Sequence, residues 1–247
     1  MFYFGSNTKR DLSESAHHEV TQALIDLSNN YKDVQFFLLP SIPFFQSLKV
    51  KSKDSRLWLG NQSLSTTSGD DVTGEVSAKT LKALNSDLVM IGHAERRQLF
   101  DGPDEIEAQL AAAAKEGLRT LFCIGESARA TDLNNLSNFL EKQLKPLTKV
   151  SIDLSIAYEP VFSIGESGSP AEPAYVAEVL EIIKDLLSKM GLPNAPLLYG
   201  GSVDDQNAPI YASISACQGL FVGRSAWSRD GVEAVFTNAY QVLKAKN

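Results

Sequence analysis

Lys9, His93 and Glu159 are the side chains of this 247-residue chain whose types could together move a proton. A carboxylate can take a proton from carbon, a histidine can exchange one with oxygen, and an ammonium can hold the negative charge that develops. The three are far apart in order but share a local setting. Lys9 follows the apolar run "FYFG" (2–5), His93 lies in "GHAERR" (92–97) after "DLVMIG" (87–92), and Glu159 ends "IDLSIAYE" (152–159). Each alone has a plainer reading: a solvated lysine, a hydrogen-bonded core histidine, a solvated chain end. The rigid Pro160 directly after Glu159 argues against an ordinary loop start. Complementary ionisable types at three such run ends are what proton transfer requires. Two glycine-bearing runs add a ligand class. "YGG" (199–201) and Gly223 can leave backbone N–H groups open near a helix start, which is how an uncharged backbone holds phosphate; turn glycine is the plainer alternative.

What must position these residues is a series of short apolar runs. Besides the three above they are "VQFFLLP" (34–40), "LWLG" (57–60), "TLFCIG" (120–125), "APLLYGG" (195–201) and "GLFVG" (219–223). Most are continuous rather than alternating, the pattern of parallel strands covered on both faces. Helical patterns lie between them. Ala16, Val20, Leu24 and Leu27 share one face over 13–29, and Ile106, Leu110 and Ala113 share another over 105–116. Leu133, Leu136, Leu140 and Leu144 make a third stripe, and a fourth helix opens at Pro173 and stops at Gly191. Strand and helix alternating about eight times predicts a parallel sheet closed as a single (β/α)8 barrel, one domain over 1–247. An open doubly wound sheet is the alternative, but no G-x-G-x-x-G follows the first strand. In a barrel the strand ends converge on one mouth, and the loops after strands seven and eight commonly hold phosphate.

Composition narrows the partners. With 23 basic against 30 acidic side chains and a net charge of −7, there is no basic field to attract nucleic acid. The apolar runs fall well short of the roughly 20 residues of a bilayer span, and no secretory pattern opens the chain, so a cytoplasmic protein is expected. Cys123 and Cys217 sit inside apolar runs and read as buried free thiols. Three histidines, two of them adjacent on the first helix, offer no metal-ligand spacing, and no cofactor is expected.

Read as a series, these segments resemble the triosephosphate isomerase family. "NTK" (7–9) resembles its N-x-K, "IGHAERR" its G-H-S-E-R-R, "AYEPVFSIG" its A-Y-E-P-V-W-A-I-G and "TGEVSAKTL" (73–81) its third loop. "CIGE" (123–126) and "YGGSV" match as they stand, and all occur in family order from residue 4 to about 227. The resemblance implies a (β/α)8 TIM barrel in which Glu159 moves a proton between adjacent carbons of a hydroxy-ketone phosphate. His93 would act as a neutral imidazole on the carbonyl and Lys9 on the enediolate, the scheme already known for this family, with Asn7 alongside. Gly165, in a lid over "VFSIGESG", would offer an N–H to phosphate, together with Ser202, Gly223 and Arg224. Glu95 would steady Lys9, Cys123 would support the site, and Thr73 in the third loop would reach a second subunit, implying a homodimer.

The chain departs from the family pattern at several positions. Ala94 replaces the serine of the histidine motif, Thr8 and Phe162 each replace a tryptophan, Ser63 an asparagine and Gly102 an acidic residue. Arg224 stands where the family has the second glycine of its phosphate turn, so that turn is expected to relax. The leading expectation is interconversion of dihydroxyacetone phosphate and D-glyceraldehyde 3-phosphate. A four-carbon ketose phosphate such as L-erythrulose 1-phosphate is the alternative, and a non-catalytic phosphate-binding paralogue is the second. A lyase on the same barrel would share the phosphate glycines but not "GHxERR" with "YEPV".

Overall fold

In a computed structural model, which describes residues 1–67, 72–165 and 168–245, the apolar runs form eight strands. They are β1 (Phe2–Asn7), β2 (Val34–Leu39), β3 (Trp58–Asn61), β4 (Leu88–Ile91), β5 (Thr120–Ile124), β6 (Leu154–Tyr158), β7 (Leu197–Tyr199) and β8 (Gly219–Val222). All neighbours are parallel, and the order β1 to β8 closes on itself. Tyr3, Phe4, Gly5 and Ser6 of β1 pair with Gly219, Leu220, Phe221 and Val222. This closed (β/α)8 barrel leaves no sheet edge, and the open alternative is excluded.

The helices α1 (Glu14–Asn30), α2 (Phe45–Lys51), α3 (Ala78–Ala83), α4 (Ala94–Leu99), α5 (Pro103–Lys115), α6 (Leu133–Leu144), α7 (Pro173–Lys189), α8 (Ala208–Ala212) and α9 (Arg229–Ala245) surround it. Caps set several starts. The Ser13 hydroxyl accepts the Ala16 N–H at α1, Asp132 accepts from Asn134 and Asn135 at α6, and Pro occupies the first turns of α5 and α7. Two helical faces differ from the sequence pattern. Leu133 is exposed while Leu136, Leu140 and Leu144 are buried. On α1 the buried stripe takes in His17, and Ala16 is only half-buried.

The core has two layers. Phe37, Leu39, Leu88, Met90, Leu121, Cys123, Ala157, Leu198 and Phe221 fill the barrel, with the Phe37 and Phe221 rings stacked at 5.8 Å. A larger cluster lies between strands and helices, including Phe4, Phe36, Leu24, Leu110, Leu140, Ile183 and Phe236. Polar residues appear where the strands run out: Asn7 ends β1, His93 follows β4 by two residues, and Glu159 directly follows β6 rather than belonging to it. Strand direction is what brings them to one end of the barrel. Among the described residues no helix is long and apolar enough to cross a membrane.

Candidate active site

At the carboxyl ends of the strands lies a cavity of about 300 Å³ lined by Asn7, Lys9, His93, Glu159, Gly165, Ser202, Gly223 and Arg224. Phe221, Ile164, Pro170, Gly200 and Asp204 are also part of its wall. A second cavity of about 720 Å³ adjoins it and shares Asn7, Lys9, His93 and Arg224. Glu95, Gln62, Leu99 and Phe100 belong to this second space. Thr73 is exposed and lines neither cavity, so the chain by itself does not bring it to the site.

Glu159 is buried, and its Oε1 lies 3.6 Å from His93 Nε2. Its Oε2 is buried without a hydrogen-bond partner. Burial pushes the Glu159 carboxyl above its ordinary value; His93, the Cys123 thiol and Lys9 oppose that rise, and Glu95 adds to it. Cys123 sits beneath, buried in the barrel, and its thiol is pushed up by the same desolvation and by Glu159.

His93 caps α4, and its Nδ1 accepts the Glu95 N–H at 3.3 Å. A donor on Nδ1 means that a neutral ring carries its proton on Nε2, the nitrogen facing Glu159. The rest of "GHAERR" fixes this turn. Arg97 donates to the carbonyls of Gly92 (2.6 Å) and Cys123 (2.9 Å), and Arg96 grips the buried Asp101 carboxylate through two bonds of 2.6 and 2.8 Å. Lys9 has its ammonium on Glu95 Oε1 and its backbone in the left-handed region, with φ 54°.

The glycines have reasons other than those their sequence suggests. The Gly200 N–H is taken by the Tyr158 carbonyl at 2.9 Å, and no helix begins until α8, so the Gly200 member of "YGG" leaves no N–H open to phosphate. Its glycines provide clearance. A Cβ on Gly200 would sit 3.0 Å from Glu159 Cγ, and one on Gly201 would sit 2.3 Å from Ser163 Oγ. Gly165 does require glycine, for its φ is 93°. The expected lid runs over residues 166 and 167, which lie outside the described residues.

The turn at Arg224 is compact. Residues Arg224–Ala226 form one tight helical turn closed by Ala226 N–H on the Gly223 carbonyl at 3.0 Å. Arg224 is not among the positive-φ residues, so its backbone does not call for glycine, and its exposed side chain borders both cavities. Ser202 adopts φ 48° and its hydroxyl donates to the Ser163 carbonyl.

The family model for triosephosphate isomerase matches residues 2–239, nearly the whole chain. The chain belongs to the triosephosphate isomerase family. It is 32% identical over 243 residues to an L-erythrulose-1-phosphate isomerase of Rhizobium rhizogenes, covering 93% of this chain and 91% of that protein. It is 32% identical over 230 residues to a probable triosephosphate isomerase 2 of Listeria monocytogenes, with 89% and 90% covered. An L-erythrulose-1-phosphate isomerase of Mycolicibacterium smegmatis is 36% identical over 220 residues, with 86% and 82% covered.

Within this member of the triosephosphate isomerase family, several residues that shape the site are not among the candidates named from the sequence, though one lies in a matched motif. Glu126, the last residue of "CIGE", is buried and accepts hydrogen bonds from the Tyr158 and Tyr175 hydroxyls, each at 2.8 Å. Its carbonyl holds the Val161 N–H at 2.9 Å, which ties the segment after Glu159 to the end of β5. Gln62 donates to the Lys9 carbonyl at 2.7 Å, and Ser41 donates to it at 2.5 Å. Gln62 and Ser41 are ordinary polar residues in loops, and only proximity reveals them. Among the described residues no group of three or more His, Cys, Asp or Glu side chains could hold a metal ion.

Proposed function

We propose that this chain is an aldose–ketose isomerase acting on a small phosphorylated hydroxy-ketone. The observation that carries this reading is a buried carboxylate, Glu159, facing His93 Nε2 across 3.6 Å in a cavity that Lys9 also lines. Glu159 removes the proton on the carbon beside the carbonyl and returns it to the former carbonyl carbon. His93 Nε2–H donates to the carbonyl oxygen, and the Lys9 ammonium opposes the negative charge of the enediolate. One C–H and one O–H exchange places, so the reaction needs no oxidant or reductant. Asn7 borders the reacting end, while Gly165, Ser202, Gly223 and Arg224 take the phosphate. Ser202 serves through its N–H, since the Ser163 carbonyl engages its hydroxyl.

Dihydroxyacetone phosphate and D-glyceraldehyde 3-phosphate are the first substrate pair in this reading. A four-carbon ketose phosphate is the second. It draws support from relatives named for L-erythrulose 1-phosphate and from the cavity that continues past Lys9 and His93 into a larger space. Comparing kcat/KM for the two ketose phosphates decides between them. Glu159→Gln is expected to lose roughly 10³-fold or more in kcat on the better substrate while still binding it. Negligible and equal rates in both proteins would favour a phosphate-binding protein without catalysis.

The same reading includes a homodimer. Leu99 and Phe100, 66% and 67% exposed, stand beside the second cavity, and Thr73 is exposed on the loop before α3. A second copy seated there would cover this apolar rim and close the larger cavity.

A further inference from the structure

Lys9 is a non-glycine residue held at φ 54°, a conformation that is strained for a residue bearing a side chain. Such a backbone persists only where its surroundings over-determine it. The Lys9 N–H is met by Asn7 Oδ1 at 2.9 Å, and the Lys9 carbonyl accepts from Ser41 Oγ and Gln62 Nε2. Ser41 of this cradle and Thr8, the residue before Lys9, converge on one fully buried side chain, His17 of α1. Thr8 Oγ1 lies 2.8 Å from His17 Nε2, and the Ser41 N–H donates to the same nitrogen at 3.3 Å.

The partners assign the ring. Ser41 N–H can only donate, so Nε2 accepts; the Ser13 carbonyl, 2.8 Å from Nδ1, can only accept, so Nδ1 carries the proton. The ring is neutral, so Nε2 takes the single hydrogen of the Thr8 hydroxyl at 2.8 Å, ahead of the Leu39 carbonyl, which lies 3.4 Å from the same oxygen. Burial lowers the His17 pKa and His18 assists, against the Ser13 and Leu12 carbonyls. Phe44 closes the ring's other side at 4.8 Å between centroids.

We propose that His17 is a positioning residue for Lys9: by accepting from both Thr8 and Ser41 it locks the β1–α1 turn to the β2–α2 turn and holds the lysine in its left-handed conformation. The inference rests on the isomerase reading for the role of Lys9, but the geometric claim stands apart from it. A merely structural role for His17 would lower stability without passing through Lys9.

The test uses His17→Leu, which removes the acceptor, His17→Gln, which restores one at the far end of the side chain, and Thr8→Val, which removes a donor. In the full-length protein His17→Leu is expected to lower kcat by about 10- to 100-fold, the scale of a misplaced catalytic group, and His17→Gln to recover most of it. In a Lys9→Ala background His17→Leu should cost nothing further; an equal additional loss there would overturn the proposal. Should His17→Leu fail to fold, Thr8→Val carries the same cycle. Crystal structures provide a readout independent of turnover. Lys9 should leave the left-handed region in His17→Leu or Thr8→Val and keep it in His17→Gln, and a Lys9 unmoved by loss of the acceptor or donor overturns the proposal. A wild-type protein that turns over neither ketose phosphate rejects the isomerase reading, and the structures then judge His17 alone.

Discussion

A carboxylate in water is a weak base toward carbon, and burial of Glu159 is what changes that. The folded protein raises its pKa, so the folded state binds this proton more tightly than the unfolded chain does. Stability contributed by the site therefore falls as pH rises from the ordinary carboxylate range through the folded value. Glu159→Gln removes the buried charge. Its thermal midpoint should exceed that of the wild type at about pH 8, with the gap closing as pH is lowered toward about 4; differential scanning calorimetry across that range reads the crossover. The acid limb of the wild-type rate profile should likewise lie above the ordinary carboxylate range. Arg224 belongs to the same scale. Its side chain borders a site proposed to take a phosphate, to which Glu159 and Asp204 bring negative charge. Arg224→Gly should raise KM by up to about five-fold with little change in kcat, the measure of one exposed cation. An unchanged KM would mean that the backbone of the turn holds the phosphate unaided.

At the scale of elements, strand ends and turns were legible in unequal measure. Lys9, His93 and Glu159 could be singled out because each follows an apolar run, and apolar runs register directly in sequence. Gly200 was misread for a physical reason: a glycine that leaves an N–H open and one that clears space for a neighbour look identical in order. Gly200 clears space for Glu159, with its own N–H engaged by Tyr158. Gly200→Ala should therefore nudge the proposed base and lower kcat by about 3- to 10-fold, leaving phosphate affinity nearly intact. Inhibition by inorganic phosphate measured beside turnover separates the two. His17 was passed over for a similar reason. Its place on α1 beside His18 offered no ligand spacing, and the residues it serves, Thr8 and Ser41, come from two other loops.

For the whole molecule, the exposed pair Leu99 and Phe100 beside the second cavity is the apolar surface that a proposed second copy would cover. Sedimentation velocity should give a dimer for the wild type and a monomer for Phe100→Asp, since a charge cannot be buried unpaired at such a contact; a wild-type monomer would set the dimer aside. Beyond assembly, the division between sequence and structure follows from range. Apolar runs, their spacing with helical stripes, and the order of the motifs depend on near neighbours and on counting, so the closed eight-stranded barrel and the family could be read from the chain itself. Which way a carboxylate faces, which N–H groups remain open, and which distant side chains share a proton depend on through-space distances across a closed sheet. Glu159 against His93, Gly200 against Glu159, and His17 against Ser41 are contacts between residues far apart in order, and only tertiary structure decided them.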